Sequence, residues 1–201
     1  MIGCRALLVA ALLANALALA ACQNPSSTSQ RRSDAVASSA APEGPSLYTH
    51  AALSDAMSAI RSRVGDAEVL SLEVCPAHAT IQVQLSSDRH RVVQYEWKGG
   101  RLFGPEPVQL RGKGSLEANV FPLSTIDLAG VPELVTAAIE RIDPANGKVE
   151  RILVRRNLPA DQAVGMRVYV ASPIRDGHVD ADARGRLVEA GKAERSERSA
   201  L

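Results

Sequence analysis

The spacing of apolar side chains changes period twice along this chain, in the same order each time. Leu53, Met57, Ile60 and Val64 fall at i, i+4, i+7 and i+11, the mark of one buried helix face. Thr49 stands where an N-cap belongs and Gly65 where the helix should stop. The period then drops to two. Leu70, Leu72 and Val74 share a strand face, followed by Ile81, Val83 and Leu85, then Val93, Tyr95 and Trp97. The pair Gly99-Gly100 ends the third strand, and RLFGPEPVQL (101–110) supplies a fourth. An amphipathic helix and strands with one apolar face each bury that face best against one another.

The pattern returns in the second half. Leu134, Val135, Ala138, Ile139 and Ile142 make another amphipathic helix, with Pro132 in its first turn and Asp143-Pro144 at its end. Asn146-Gly147 signals a turn. Ile152 and Val154, then Met166, Val168 and Val170, then Val179, Ala181 and Ala183 mark three strands. YEWKGGRL (95–102) lies opposite DADARGRL (180–187). Matching Ile60 to Ile139, Leu72 to Ile152, Ile81 to Val168 and Gly100 to Gly185 gives offsets of 79, 80, 87 and 85. Insertions around Asn157–Gln162 account for the drift. The expected fold class is α+β: two tandem units of a helix plus three or four strands, spanning 48–126 and 127–188, with helices packed on antiparallel sheet.

The closing stretch HVDADARGRLVEA (178–190) resembles the small PepSY repeat of exported bacterial proteins, in which a helix packs on an antiparallel sheet. The first unit departs from that pattern, with Tyr95-Glu96-Trp97 where small acidic residues belong. The paired arrangement is also similar to the tandem helix-and-sheet repeats of bacterial secreted inhibitors. Either resemblance implies binding or inhibition of other proteins, and neither carries catalytic residues onto this chain.

The N-terminus reads as a targeting segment. Arg5 precedes the apolar run ALLVAALLANALALAA (6–21), which is short for a membrane span of about 20 residues and ends in small residues. Leu19-Ala20-Ala21-Cys22 resembles the lipobox of bacterial lipoproteins, where a peptidase cuts before a cysteine that carries the lipid. That resemblance implies a signal peptide over 1–21 and lipidation, including a palmitate-type acyl chain, at Cys22. The alternative is an ordinary signal peptide with an incidental cysteine. In a Gram-negative source, the sorting pattern of the lipoproteins it resembles gives Gln23 rather than Asp after the cysteine to the outer membrane, facing the periplasm. Residues 22–47, rich in Ser and Pro, read as a lipidated flexible tether reaching about 25–30 Å. The charged tail 189–201 lacks an apolar face.

Lys and Arg number 23 against 22 Asp and Glu, so the counts balance once Arg5 is removed. A neutral chain argues against a nucleic-acid partner. With Cys4 in the leader and Cys22 lipidated, Cys75 has no disulfide partner. CPAH (75–78) with His90 offers thiolate and imidazole, but a structural zinc site wants four ligands. Cys75 as a nucleophile needs a base beside it, and residues three apart across a strand turn, such as His78, need not face it. In DGHVDADARG (176–185), Arg184 occupies a position that a calcium loop gives to a ligand. Alternation places His178, Asp180 and Asp182 on a solvated strand face instead. No phosphate loop or nucleophile elbow is present. Arg151 and Arg155 share a strand face and suit an acidic partner.

The expected function is therefore a non-catalytic lipoprotein that binds or inhibits another envelope macromolecule, an envelope protein or the cell wall, needing no cofactor or metal. Its partner-binding residues are Arg151 and Arg155. The alternative is a periplasmic enzyme or thiol protein using Cys75 with His78 or His90.

Overall fold

The computed structural model describes residues 45–111, 114–157 and 162–188. The leader, Cys22, most of the tether, residues 158–161 of the expected insertion and the tail from Glu189 lie outside the described residues.

Helix α1 (His50–Val64) begins where Thr49 caps it, its hydroxyl accepting the Ala52 N–H. It ends at Gly65, whose φ of 65° lets the chain reverse and its N–H reach the Arg61 carbonyl. Arg61 and Arg63 in the last turn complement the helix dipole. Strands β1 (Glu68–Val74), β2 (His78–Leu85), β3 (Asp88–Lys98) and β4 (Arg101–Val108) follow as successive antiparallel hairpins. The chain then passes through a short helix α2 (Leu116–Asn119), a two-residue strand β5 (Phe121–Pro122) and a 3-10 turn (Leu123–Thr125). Helix α3 (Val131–Ile142) leads into β6 (Lys148–Arg156), β7 (Val164–Ala171) and β8 (Gly177–Asp182). Asp143 ends α3 by accepting the N–H groups of Ala145 and Asn146 on one carboxylate oxygen.

The strands join in one antiparallel sheet of order β4-β3-β2-β1-β6-β7-β8, with β5 paired to the start of β1. The fold is thus α+β, and a single sheet runs through both halves of the chain. Registers align the buried side chains in rows across it. One row runs Tyr95, Ile81, Leu72, Val154, Met166, Ala181; the next runs Trp97, Ala79, Val74, Ile152, Val168, Val179. Leu53, Ala56, Met57 and Ile60 of α1 and Val131, Leu134 and Ala138 of α3 join these rows in one core. Both helices therefore cover the same face. Trp97 and Tyr95 belong to that face, as expected for apolar positions.

Three local features depart from simple alternation. A bulge between Val69 and Ser71 turns Val69 into the core, while the expected Leu70 is only half-buried. Gly104, at φ 105° beside a second bulge, lies so close to β3 that a Cβ there would stand 2.6 Å from the Gln94 carbonyl. Ala183, expected on the last strand, lies in the turn after β8. At the N-terminal end, Leu47 is buried and its N–H bonds the Pro76 carbonyl at 2.8 Å. No helix among the described residues is long and apolar enough to cross a membrane.

Leu72 is fully buried in the central strand pair, so Leu72→Ala should cost about 2–5 kcal/mol. Urea denaturation followed by circular dichroism measures the loss; a shift below about 1 kcal/mol would contradict this packing.

Candidate functional site

The alternation that buries Leu72 and Val74 sends Glu73 and Cys75 to the opposite face of β1. Pro76 and Ala77 then form a two-residue connection, closed by the Cys75 N–H bonding the His78 carbonyl at 2.8 Å. Residues that oppose one another across such a hairpin share a face. His78 accordingly opposes Cys75 across the turn, with Glu73 two residues back on the same face. One donor atom from each of Glu73, Cys75 and His78 lies within 4.8 Å of the other two. The sequence left open whether Cys75 and His78 face one another; the short turn brings them together, and Glu73 completes the group.

Glu73 links this cluster to the rest of the face. Its Oε1 accepts the Cys75 thiol at 3.8 Å, and its Oε2 lies 3.6 Å from Arg151 Nη1. The Arg151 guanidinium sits 4.4 Å from the centroid of the Tyr169 ring, and that ring lies 6.2 Å from His178. Contacts thus run Cys75, Glu73, Arg151, Tyr169, His178 across four strands. One residue row beneath them, Arg167 grips Asp180 with two hydrogen bonds of 2.7 and 3.0 Å. That grip holds the Asp180 carboxyl below its usual range.

Neither α1 nor α3 covers this face. Thr80, Gln82, Gln94, Glu96, Leu153, Arg167, Tyr169 and Asp180 are half-buried there. Arg151 and Arg155 are exposed on it, as the strand pattern implied. Arg155 lies opposite Gly165 and has no ion-pair partner among the described residues. His90 is at the far end of β3, and His78 pairs with Lys98; eight residues of strand separate the two, about 27 Å. His90 and Cys75 therefore do not form one site. Asp176 caps the Ser172 N–H and Asp182 holds the Arg184–Arg186 turn, each engaged separately from Asp180. A cleft of about 510 Å³ near the end of α1 is lined by Arg63, Asp66, Glu68, Gln84, Arg89 and Tyr95 among others, with no cysteine or histidine.

Burial pushes the Cys75 thiol up to about 11, and the charge and hydrogen bond of Glu73 add to the shift; Arg151 opposes it more weakly. Tyr48, whose hydroxyl donates to the Val74 carbonyl at 3.4 Å, is also raised, chiefly by burial. At neutral pH the cysteine is a protonated thiol and a poor nucleophile. Glu73 is the site residue that sequence reasoning passed over. The run Glu73-x-Cys75-Pro-Ala-His78 carried the signal, since period two and a two-residue turn together place all three on one face.

Comparison with known proteins returns no match: no protein-family model, curated protein or solved structure matches this chain.

In the presence of a chelator the protein should react slowly with iodoacetamide at Cys75, the rate rising about tenfold per pH unit until pH approaches about 11. Glu73→Gln removes a group that disfavours the thiolate and should speed alkylation at pH 8. Mass-spectrometric rates for the Cys75 peptide check both; a rate that levels off near pH 8 would sink the assignment.

Proposed function

We propose that this chain is a lipid-anchored envelope protein whose open sheet face binds another macromolecule without catalysing a reaction. The anchor rests on the lipobox-like Leu19-Ala20-Ala21-Cys22, with Gln23 favouring the outer membrane. The carrying observation for binding is the sheet face left uncovered by α1 and α3, with Arg151 and Arg155 exposed on it. Tyr169 supports the Arg151 guanidinium from below, and Arg155 has no described counter-charge. An acidic surface of an envelope protein is the complementary occupant. The raised Cys75 thiol weighs against the alternative of a thiol enzyme.

The domain is, on this reading, a tandem of two helix-and-sheet repeats meeting at β1 and β6. Leu72 opposes Val154 while Val74 opposes Ile152, so a two-fold between Glu73 and Leu153 would exchange Leu72 with Ile152. Ile81 and Val168 occupy equivalent places beside these two residues. Leu102 opposite Trp97 corresponds to Leu187 bridging Ala181. These correspondences support the PepSY-like or tandem inhibitor-like organisation, with units at 48–126 and 127–188.

Labelled palmitate should enter the wild-type protein and be absent from Cys22→Ser; labelling of the variant refutes the anchor. For binding, a photo-crosslinker at position 155 should capture a discrete envelope partner, and Arg151→Glu with Arg155→Glu should cut recovery at least tenfold. Glu133→Lys on the exposed side of α3 should leave it unchanged. Equal recovery from the double variant would overturn the proposed face.

A further inference from the structure

We infer that Glu73, Cys75 and His78 form a binding site for Zn²⁺ on the β1–β2 hairpin. This inference does not rest on the docking role proposed for Arg151 and Arg155, although Arg151 also contacts Glu73. Zinc takes thiolate sulfur at about 2.3 Å and imidazole nitrogen or carboxylate oxygen at about 2.0–2.2 Å. Around a tetrahedral ion such bonds hold neighbouring donors roughly 3.3–3.7 Å apart. The three donor atoms already lie within 4.8 Å of one another, and the sulfur is 3.8 Å from Glu73 Oε1. Side-chain movements of about an ångström close the set around an ion.

The chemistry of the group favours zinc over the harder cations. Thiolate and imidazole suit Zn²⁺, whereas calcium and magnesium want oxygen ligands. One thiolate and one carboxylate neutralise a divalent charge, and histidine adds a neutral donor. Binding replaces the thiol proton, which leaves to solvent, and no electrons are transferred. Arg151 holds Glu73 by Oε2, which leaves Oε1 turned toward the sulfur. Such an outer contact orients a ligating carboxylate. The hairpin itself is anchored by the Leu47–Pro76 hydrogen bond, so the ligands stand on a braced element. All three residues are half-buried, accessible to an entering ion. With three protein ligands, the fourth position is left to water.

Titrating Co²⁺ into the full chain after chelator treatment tests this directly. One equivalent should bind with a sulfur-to-cobalt absorption band that Zn²⁺ abolishes. Cys75→Ser should lose the band, and Glu73→Gln and His78→Ala should each weaken binding at least tenfold. His90→Ala should bind like wild type. A band retained in Cys75→Ser, or affinities unchanged in the other two variants, overturns the site. A measurement that needs no variant uses the unmodified chain: saturating Zn²⁺ should slow iodoacetamide alkylation of the Cys75 peptide at least tenfold. Equal rates with and without Zn²⁺ reject the proposal.

Discussion

Strands β1 and β6 meet where Leu72 faces Val154, Glu73 faces Leu153 and Val74 faces Ile152, and the rest of the sheet extends outward from that seam. Without it each half would expose an unpaired sheet edge at β1 or β6. With it, two hairpin sets share one buried face and one core, and α1 and α3 cover that face together. The same seam brings Glu73 of the first half beside Arg151 of the second. Packing on one face and the contact chain on the other thus depend on a single strand pairing.

Much of the local architecture was legible because it depends on residues close in sequence. Thr49 and Gly65 bound the first helix by capping chemistry, and Asp143 ends α3 in the same way. The strands around Ile81, Tyr95, Val168 and Val179 follow from alternation alone. Leu70 illustrates the limit. A bulge adds a residue without changing composition, so the parity of every position before it shifts and Val69 takes the buried place. The seam was illegible for another reason. Val74 and Ile152 are apolar in any arrangement, and spacing says nothing about which strand edges meet across so long a stretch of chain.

The site divides along similar lines. Arg151 and Arg155 were placed on one strand face by counting, and they are found there. Cys75 and His78 were known as residue types, but their approach depends on how many residues the turn consumes. A glutamate on a strand usually faces water, so the sequence alone does not distinguish Glu73. Here it stands between a thiol and a guanidinium, and both neighbours use it. The Tyr169 ring under Arg151 required the β6–β7 register, which a further bulge between Val149 and Arg151 adjusts.

The bond from the Leu47 N–H to the Pro76 carbonyl has a mechanical consequence. Leu47 lies ahead of α1, and it fastens the start of the domain to the apex of the β1–β2 hairpin. Tension applied to the chain from its N-terminal side would enter the fold at that turn before reaching α1 or the sheet interior. The turn also sets the distance between Cys75 and His78. A pull at Leu47 would therefore bear on the turn that sets the spacing of those two side chains.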